Sequence, residues 1–150
     1  MFLRALAAFL VLPGLVAGIV PPLITLFDPW QGSPFAPGLI VLIAGFLILM
    51  SCVQDFYVSG KGTLAPWSPP EHLVTTGLYR YSRNPMYIGV LTIIGGWTIW
   101  LMSPLLLIYG MAFTFIFHMR VTRYEEPWLS ERYGKDWSEY CRHANRWVGF

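Results

Sequence analysis

A chain of 150 residues that is 55% hydrophobic, 17% aromatic and only 12% charged lacks the make-up of a soluble domain, in which about a quarter of residues are charged. Its mean hydropathy of +0.53 points instead to an all-α integral membrane protein forming one domain, residues 1–150. The net charge of +2 provides no basic tract for nucleic acid, and Cys52, Cys141, His72, His118 and His143 show neither a disulfide framework nor a metal-ligand spacing.

A hydrocarbon core of about 30 Å takes roughly 20 helical residues. The first candidate span, about 2–27, is apolar apart from Arg4. It outruns a signal-peptide core and has no small-x-small cleavage site, so a retained helix is expected. Pro13, Pro21 and Pro22 should kink or end it. Gly14 and Gly18 form a GxxxG able to face another helix. The second span covers about 37–53. The next apolar region, 86–119, is too long for one crossing and carries Ser103-Pro104 near its centre. Proline drives its predecessor out of helical geometry, so this region reads as a helical hairpin with spans of about 86–102 and 105–119. Both arms are short, and tilt or local bilayer thinning accompanies them.

Arg4 precedes the first span, Lys61, Arg80 and Arg83 lie between the second and third, and the other six basic residues follow the fourth. Four crossings place all ten on one side. The positive-inside rule makes that side cytoplasmic, with both termini inside. Chemistry is thereby confined to the 54–85 connector and the 120–150 tail. The connector opens on a glycine- and proline-rich stretch expected to be irregular, in which Lys61 lacks the spacing of a phosphate loop.

The connector ends differently, in GLYRYSRNPMYIG, residues 77–89. Pro85 suits the first turn of the third span, whose free N–H groups and positive dipole end then face the cytoplasm. Arg80 and Arg83 share a side if the approach is helical. With Tyr79, Tyr81 and Tyr87 they make a set able to hold a carboxylate or phosphate and stack on a flat heterocycle. The same composition also makes an interfacial anchor. In the tail, Tyr124 and Trp128, then Tyr133, Trp137 and Tyr140, recur at helical spacing, as an amphipathic cytoplasmic helix would have them. Gly134 is expected to end one helix and allow another to start. Glu125 and Glu126, within two turns of the last span, suit a cationic ligand.

Residues 77–89 resemble the G-x-Y-x-x-x-R-(H/N)-P-x-Y-x-G signature of the isoprenylcysteine carboxyl methyltransferases and their phospholipid N-methyltransferase relatives. In the tail, Glu125-Glu126-Pro127-Trp128-Leu129 resembles the family's E-E-x-x-L, and the run from Tyr133 to Tyr140 its aromatic-Gly-x-x-aromatic-x-x-Tyr. Arg146 stands where the family often has a late arginine. The resemblance spans roughly 69–146. It implies a helical membrane enzyme using S-adenosylmethionine, with the cofactor pocket built from the 69–89 loop and the 120–150 tail. On this resemblance Tyr79, Asn84, Pro85, Met86, Tyr87 and Gly89 line one side of the pocket. Glu125 and Glu126 meet the methionine ammonium or the sulfonium, and Tyr133 and Trp137 close over the nucleotide. Arg83, Glu126 and Arg146 are the implied catalytic set, the arginines steering an anionic acceptor or the cofactor carboxylate. Where many relatives have His-Pro, this chain has Asn84-Pro85, and asparagine carries no proton at neutral pH.

Methyl transfer from a sulfonium is an in-line displacement that depends chiefly on alignment. A carboxylate acceptor needs no general base, and none is unambiguous in the sequence. The acceptor expected is membrane-embedded or lipophilic, an isoprenylcysteine-type carboxylate or a lipid headgroup. Two rivals stand beside this reading. A sterol-reductase-like enzyme would bind the NADPH 2′-phosphate through Arg80, Arg83 and Arg123, and an accessory membrane protein would have no chemistry at all.

Overall fold

The computed structural model describes residues 10–59 and 72–149, and every regular element among them is helical. A π-helical stretch, Leu10–Ile19, runs into a short helix, α1 (Val20–Thr25). In a π-helix each carbonyl bonds the N–H five residues on. Val16 and Ala17 would therefore look to Pro21 and Pro22, which have no N–H. Neighbouring helices supply the missing donors: the Tyr109 hydroxyl donates to the Val16 carbonyl at 2.8 Å, and the Trp97 indole to that of Ala17 at 2.9 Å. Hydrocarbon offers no water for an orphaned carbonyl, so these bonds also fasten the first element to the hairpin. The prolines do not end the helical run, which passes through Pro13 as a π-helix and continues as α1 through Pro21 and Pro22. Residues 1–9 of the expected 2–27 span lie outside the described residues. The GxxxG expectation fails at Gly18, where an added Cβ would meet nothing within 4 Å.

Close helix packing occurs elsewhere, between α2 (Pro37–Ser59) and α3 (Pro85–Leu101). Gly38 and Gly45 on one, and Gly89 and Gly96 on the other, each recur after two turns and so share a face. A Cβ at Gly38 would sit 2.2 Å from the Trp100 nitrogen, at Gly45 2.6 Å from that of Ile93, and at Gly96 2.5 Å from that of Leu42. Those pairings run in opposite directions along the two chains, so the helices are antiparallel with backbones nearly touching. Small residues at such contacts drive association where lipid is as apolar as leucine. Ala17, Leu49, Val90, Ile93 and Ile94 form the buried centre beside this contact.

α2 continues six residues beyond its expected end, with 54–59 helical rather than irregular. The extension packs. Phe56 lies edge-on to Tyr79 at 5.3 Å between ring centres, and Asp55 abuts Gly77. Residues 60–71 of the connector, including Lys61 and 69–71 of the expected cofactor loop, lie outside the described residues. The hairpin matches its expected boundaries to within a residue. α3 ends at Leu101, Met102 turns the chain at φ 47°, and Ser103 caps α4 (Pro104–Arg120) by accepting from the Leu106 N–H. Asp28 is buried at this tip. It accepts from the Ser103 hydroxyl and from the N–H groups of Leu105 and Trp30, tying the preceding loop to the hairpin.

Among the described residues two helices are long and apolar enough to cross a membrane, Pro37–Phe56 and the run Pro104–His143, while Pro13–Thr25 and Pro85–Leu101 are shorter apolar helices. The continuity of the last is a departure from the expected separate tail helix. α4 passes through one π-helical turn, Val121–Glu125, into α5 (Glu126–His143). Pro127 does not interrupt it: the π turn lies directly before it, with the Glu126 N–H reaching back to the Val121 carbonyl, so the wider register falls where the proline lacks its own N–H. The break comes at Gly134, as expected, with φ 50° and ψ −110°. Only glycine holds such a conformation without strain.

Candidate functional site

The signature stretch approaches α3 as a single 3₁₀ turn, Gly77–Arg80, and not as a longer helix. Gly77 has φ +58°, and a Cβ there would fall 2.0 Å from an Asp55 carboxylate oxygen. Side chains are thus excluded at Gly77 by both strain and space. Arg80 and Arg83 have different surroundings, Arg83 meeting Glu126. Arg80 lines a cavity of about 630 Å³ with His72, Tyr133, Asp136, Glu139 and His143.

The end of the tail is strapped across residues 82–84. Ser82 and Asn145 form an isolated parallel bridge. The Arg83 N–H donates to the Asn145 carbonyl at 2.7 Å, and the Asn84 side-chain nitrogen to the Arg146 carbonyl at 3.0 Å. Deeper in, the Tyr140 hydroxyl donates to the Tyr79 carbonyl at 2.7 Å. Burial pushes the pKa values of both Tyr79 and Tyr140 upward. Trp137, Tyr140 and Ala144 form a small buried cluster beneath the strap.

This strap brings two arginines onto one carboxylate. Glu126 accepts from Arg146 Nε at 2.9 Å and Nη2 at 2.7 Å, and lies 3.1 Å from Arg83 Nη2. The two-pronged Arg146 contact is the strong form of such a pair, and it holds Arg146 above the usual arginine pKa. Arg83 also lies over the Trp137 ring at 5.5 Å. The Arg83 and Glu126 side chains are only 12% and 14% exposed, so little solvent screens them. Arg83 Nε is buried without a hydrogen-bond partner. Buried donors are nearly always satisfied. With two guanidiniums against one carboxylate, the node carries surplus positive charge and an unused donor.

A second node adjoins it. Glu125 Oε1 accepts from Arg120 Nε at 2.7 Å and from the Tyr87 hydroxyl at 2.5 Å. The Tyr87 ring lies tilted against Phe117, 4.5 Å between centres, and Phe113 and Tyr109 continue the aromatic run along α4.

Of the residues singled out in the sequence, Arg83, Asn84, Glu126, Trp137 and Arg146 converge in the first node, and Tyr87 and Glu125 in the second. The others sit apart. Tyr79 is buried against Cys52 and Val74, Met86 packs beside them, Pro85 begins α3, and Gly89 faces α2. Tyr133 lines the outer cavity with Arg80. Sequence reasoning missed Arg120, Ser82, Tyr140 and Asn145 as parts of the site. Arg120 and Glu125 are five apart, which is out of phase on an α-helix, and only the π turn brings them together. The backbone contacts of Asn145 leave no signal in side-chain type.

The charged groups are of the kinds that S-adenosylmethionine would need: Arg83 and Arg146 could meet a carboxylate, and Glu125 could offer negative charge to cationic groups. The phospholipid methyltransferase family profile matches residues 34–136. A protein-S-isoprenylcysteine O-methyltransferase of Dictyostelium discoideum is 34% identical over 85 residues, which are 51% of this chain and 32% of that protein. Probable protein-S-isoprenylcysteine O-methyltransferases of Oryza sativa, subspecies indica and japonica, are each 29% identical over 117 residues, 75% of this chain and 60% of theirs. The chain thus spans between about a third and three fifths of the length of these curated relatives. No solved structure matches it. With the profile covering well over half of the chain, the chain belongs to the phospholipid methyltransferase family.

Proposed function

We propose that this chain transfers a methyl group from S-adenosylmethionine to a lipophilic acceptor at the cytoplasmic face of a membrane that it crosses four times. The observation that carries the reading is the node of Arg83, Glu126 and Arg146. It unites the two sequence halves of the signature and leaves the buried Arg83 Nε without a partner.

When bound, the cofactor supplies a methyl on a sulfonium, a leaving group that is already activated. The work left to the chain is placement and exclusion of water. Arg83 and Arg146 would hold the cofactor carboxylate, and Glu126 keeps both guanidiniums in place. Trp137 supports Arg83 from below. Asn84 fastens the tail strap through the Arg146 carbonyl, a hydrogen-bonding role that needs no titratable proton.

An acceptor that is anionic at neutral pH, as an isoprenylcysteine-type carboxylate would be, needs no general base, and this favours it over a lipid amine. His72 and His143 line the outer cavity and His118 lies against Trp147, so none of the histidines stands at either node as a base. The arginine trio required by the reductase reading does not assemble, because Arg83 pairs with Glu126 while Arg80 lines the cavity.

The test is incubation of the purified protein with methyl-labelled S-adenosylmethionine and a membrane lipid extract. A labelled, base-labile ester in the lipophilic fraction is expected. Label confined to amine headgroups would refute the carboxylate preference, and no enzyme-dependent label would refute the activity.

A further inference from the structure

The two adjacent glutamates are differently engaged. Both oxygens of Glu126 are taken by arginines. The two donors to Glu125, Arg120 and Tyr87, meet on the same oxygen, Oε1. Among the described residues Oε2 receives no hydrogen bond, and the side chain is 31% exposed. Successive helical residues point about 100° apart, so one carboxylate turns to the tail strap and the other to Tyr87 and the aromatic run on α4. The π turn that ends at Glu125 brings Arg120 within reach of it.

We infer that Arg120 and Tyr87 are positioning residues that fix Glu125 by one oxygen so that the other meets the sulfonium of the methyl donor. The inference rests on the proposed cofactor. Placement chooses the sulfonium over the ammonium. A lipophilic acceptor approaches along apolar surface, and the run from Tyr109 through Phe113 and Phe117 ends at Tyr87. The methyl-bearing sulfur must meet the acceptor there, while the cofactor carboxylate goes to Arg83 and Arg146 on the tail side. Arg120, with its side chain 48% exposed, then aligns Glu125 and partly offsets its charge.

The test compares affinity for S-adenosylmethionine, a sulfonium, with that for S-adenosylhomocysteine, a neutral thioether that shares every other charged group. Calorimetry on detergent-purified protein yields both. In Glu125→Gln the preference for the sulfonium should fall about tenfold, as expected for losing one partly exposed charge partner, while thioether binding persists and reports an intact fold. Because the charge of Arg120 itself opposes a cation, geometry is isolated by Arg120→Lys combined with Tyr87→Phe. This double variant keeps the net charge and should lower the preference about threefold. If Glu125→Gln weakens both ligands equally or neither, the sulfonium contact is wrong. An unchanged preference in the double variant rules out positioning by Arg120 and Tyr87. Failure of the wild-type protein to bind either ligand would overturn the cofactor reading beneath this one.

Discussion

Replacing Glu126 with alanine removes the shared partner of two arginines. Arg83 is 12% exposed and Glu126 14%, so their contact belongs with buried pairs, where deleting one partner costs about 3–5 kcal/mol. Arg146 is 39% exposed, and its pairing adds at most about 1 kcal/mol. The expected loss is about 4 kcal/mol. Apart from apolar packing, the strap's other ties include the hydrogen bonds Arg83 N–H to Asn145, Asn84 to Arg146 and Tyr140 to Tyr79. Each contributes about 1 kcal/mol, so the lost pair rivals their sum. The tail should therefore detach while the helices remain packed. Hydrogen exchange in detergent reads this at the Arg83 amide. At about 1.4 kcal/mol per factor of ten, its exchange should accelerate by between two and three orders of magnitude, with α2 and α3 unchanged. Wild-type protection at Arg83, or a loss spread evenly over the helices, would refute the view that Glu126 holds the strap.

Gly96→Leu should lower the thermal midpoint in detergent through overpacking of about 1–3 kcal/mol, because its Cβ would meet Leu42 backbone at 2.5 Å. Gly18→Leu, with nothing within 4 Å, should leave the midpoint within a degree or two, and equal effects would refute the packing assignment. Tyr79 and Tyr140 have folded pKa values raised above their ordinary 10.0 by burial. Their contribution to stability is therefore full below about pH 10 and is lost as pH rises above it. Limited proteolysis of the tail should accelerate above that pH, and the acceleration should shrink in Tyr140→Phe. A rate flat through pH 11 would contradict the buried tyrosine clasp.

The hairpin was readable because Ser103-Pro104 forces a turn whatever surrounds it, and the Gly134 break because only glycine takes that conformation. Arg83 and Glu126 stood out by chemical type and place in the chain, and Arg146 only through the family resemblance. Their mutual pairing was not readable, since adjacent carboxylates in sequence announce a cationic ligand as readily as a pair of arginines 20 and 43 residues distant. Arg120 escaped notice because α-helical phase separates it from Glu125. The glycine contact between α2 and α3 was hidden for another reason. Its seven-residue spacing acquires meaning only when two stretches are aligned antiparallel, whereas the GxxxG at Gly14 and Gly18 advertises itself locally without a partner at Gly18. The tail strap depends on backbone carbonyls, which every residue has.

The most direct test is titration of S-adenosylhomocysteine into wild-type protein and into Arg83→Ala, with NADPH in parallel. One saturable site should appear for the wild type, at least about tenfold weaker once the charge-assisted contact is removed, with no NADPH binding. Absence of binding, NADPH binding in its place, or equal affinity in Arg83→Ala would contradict a methyl-donor site built on the arginine node.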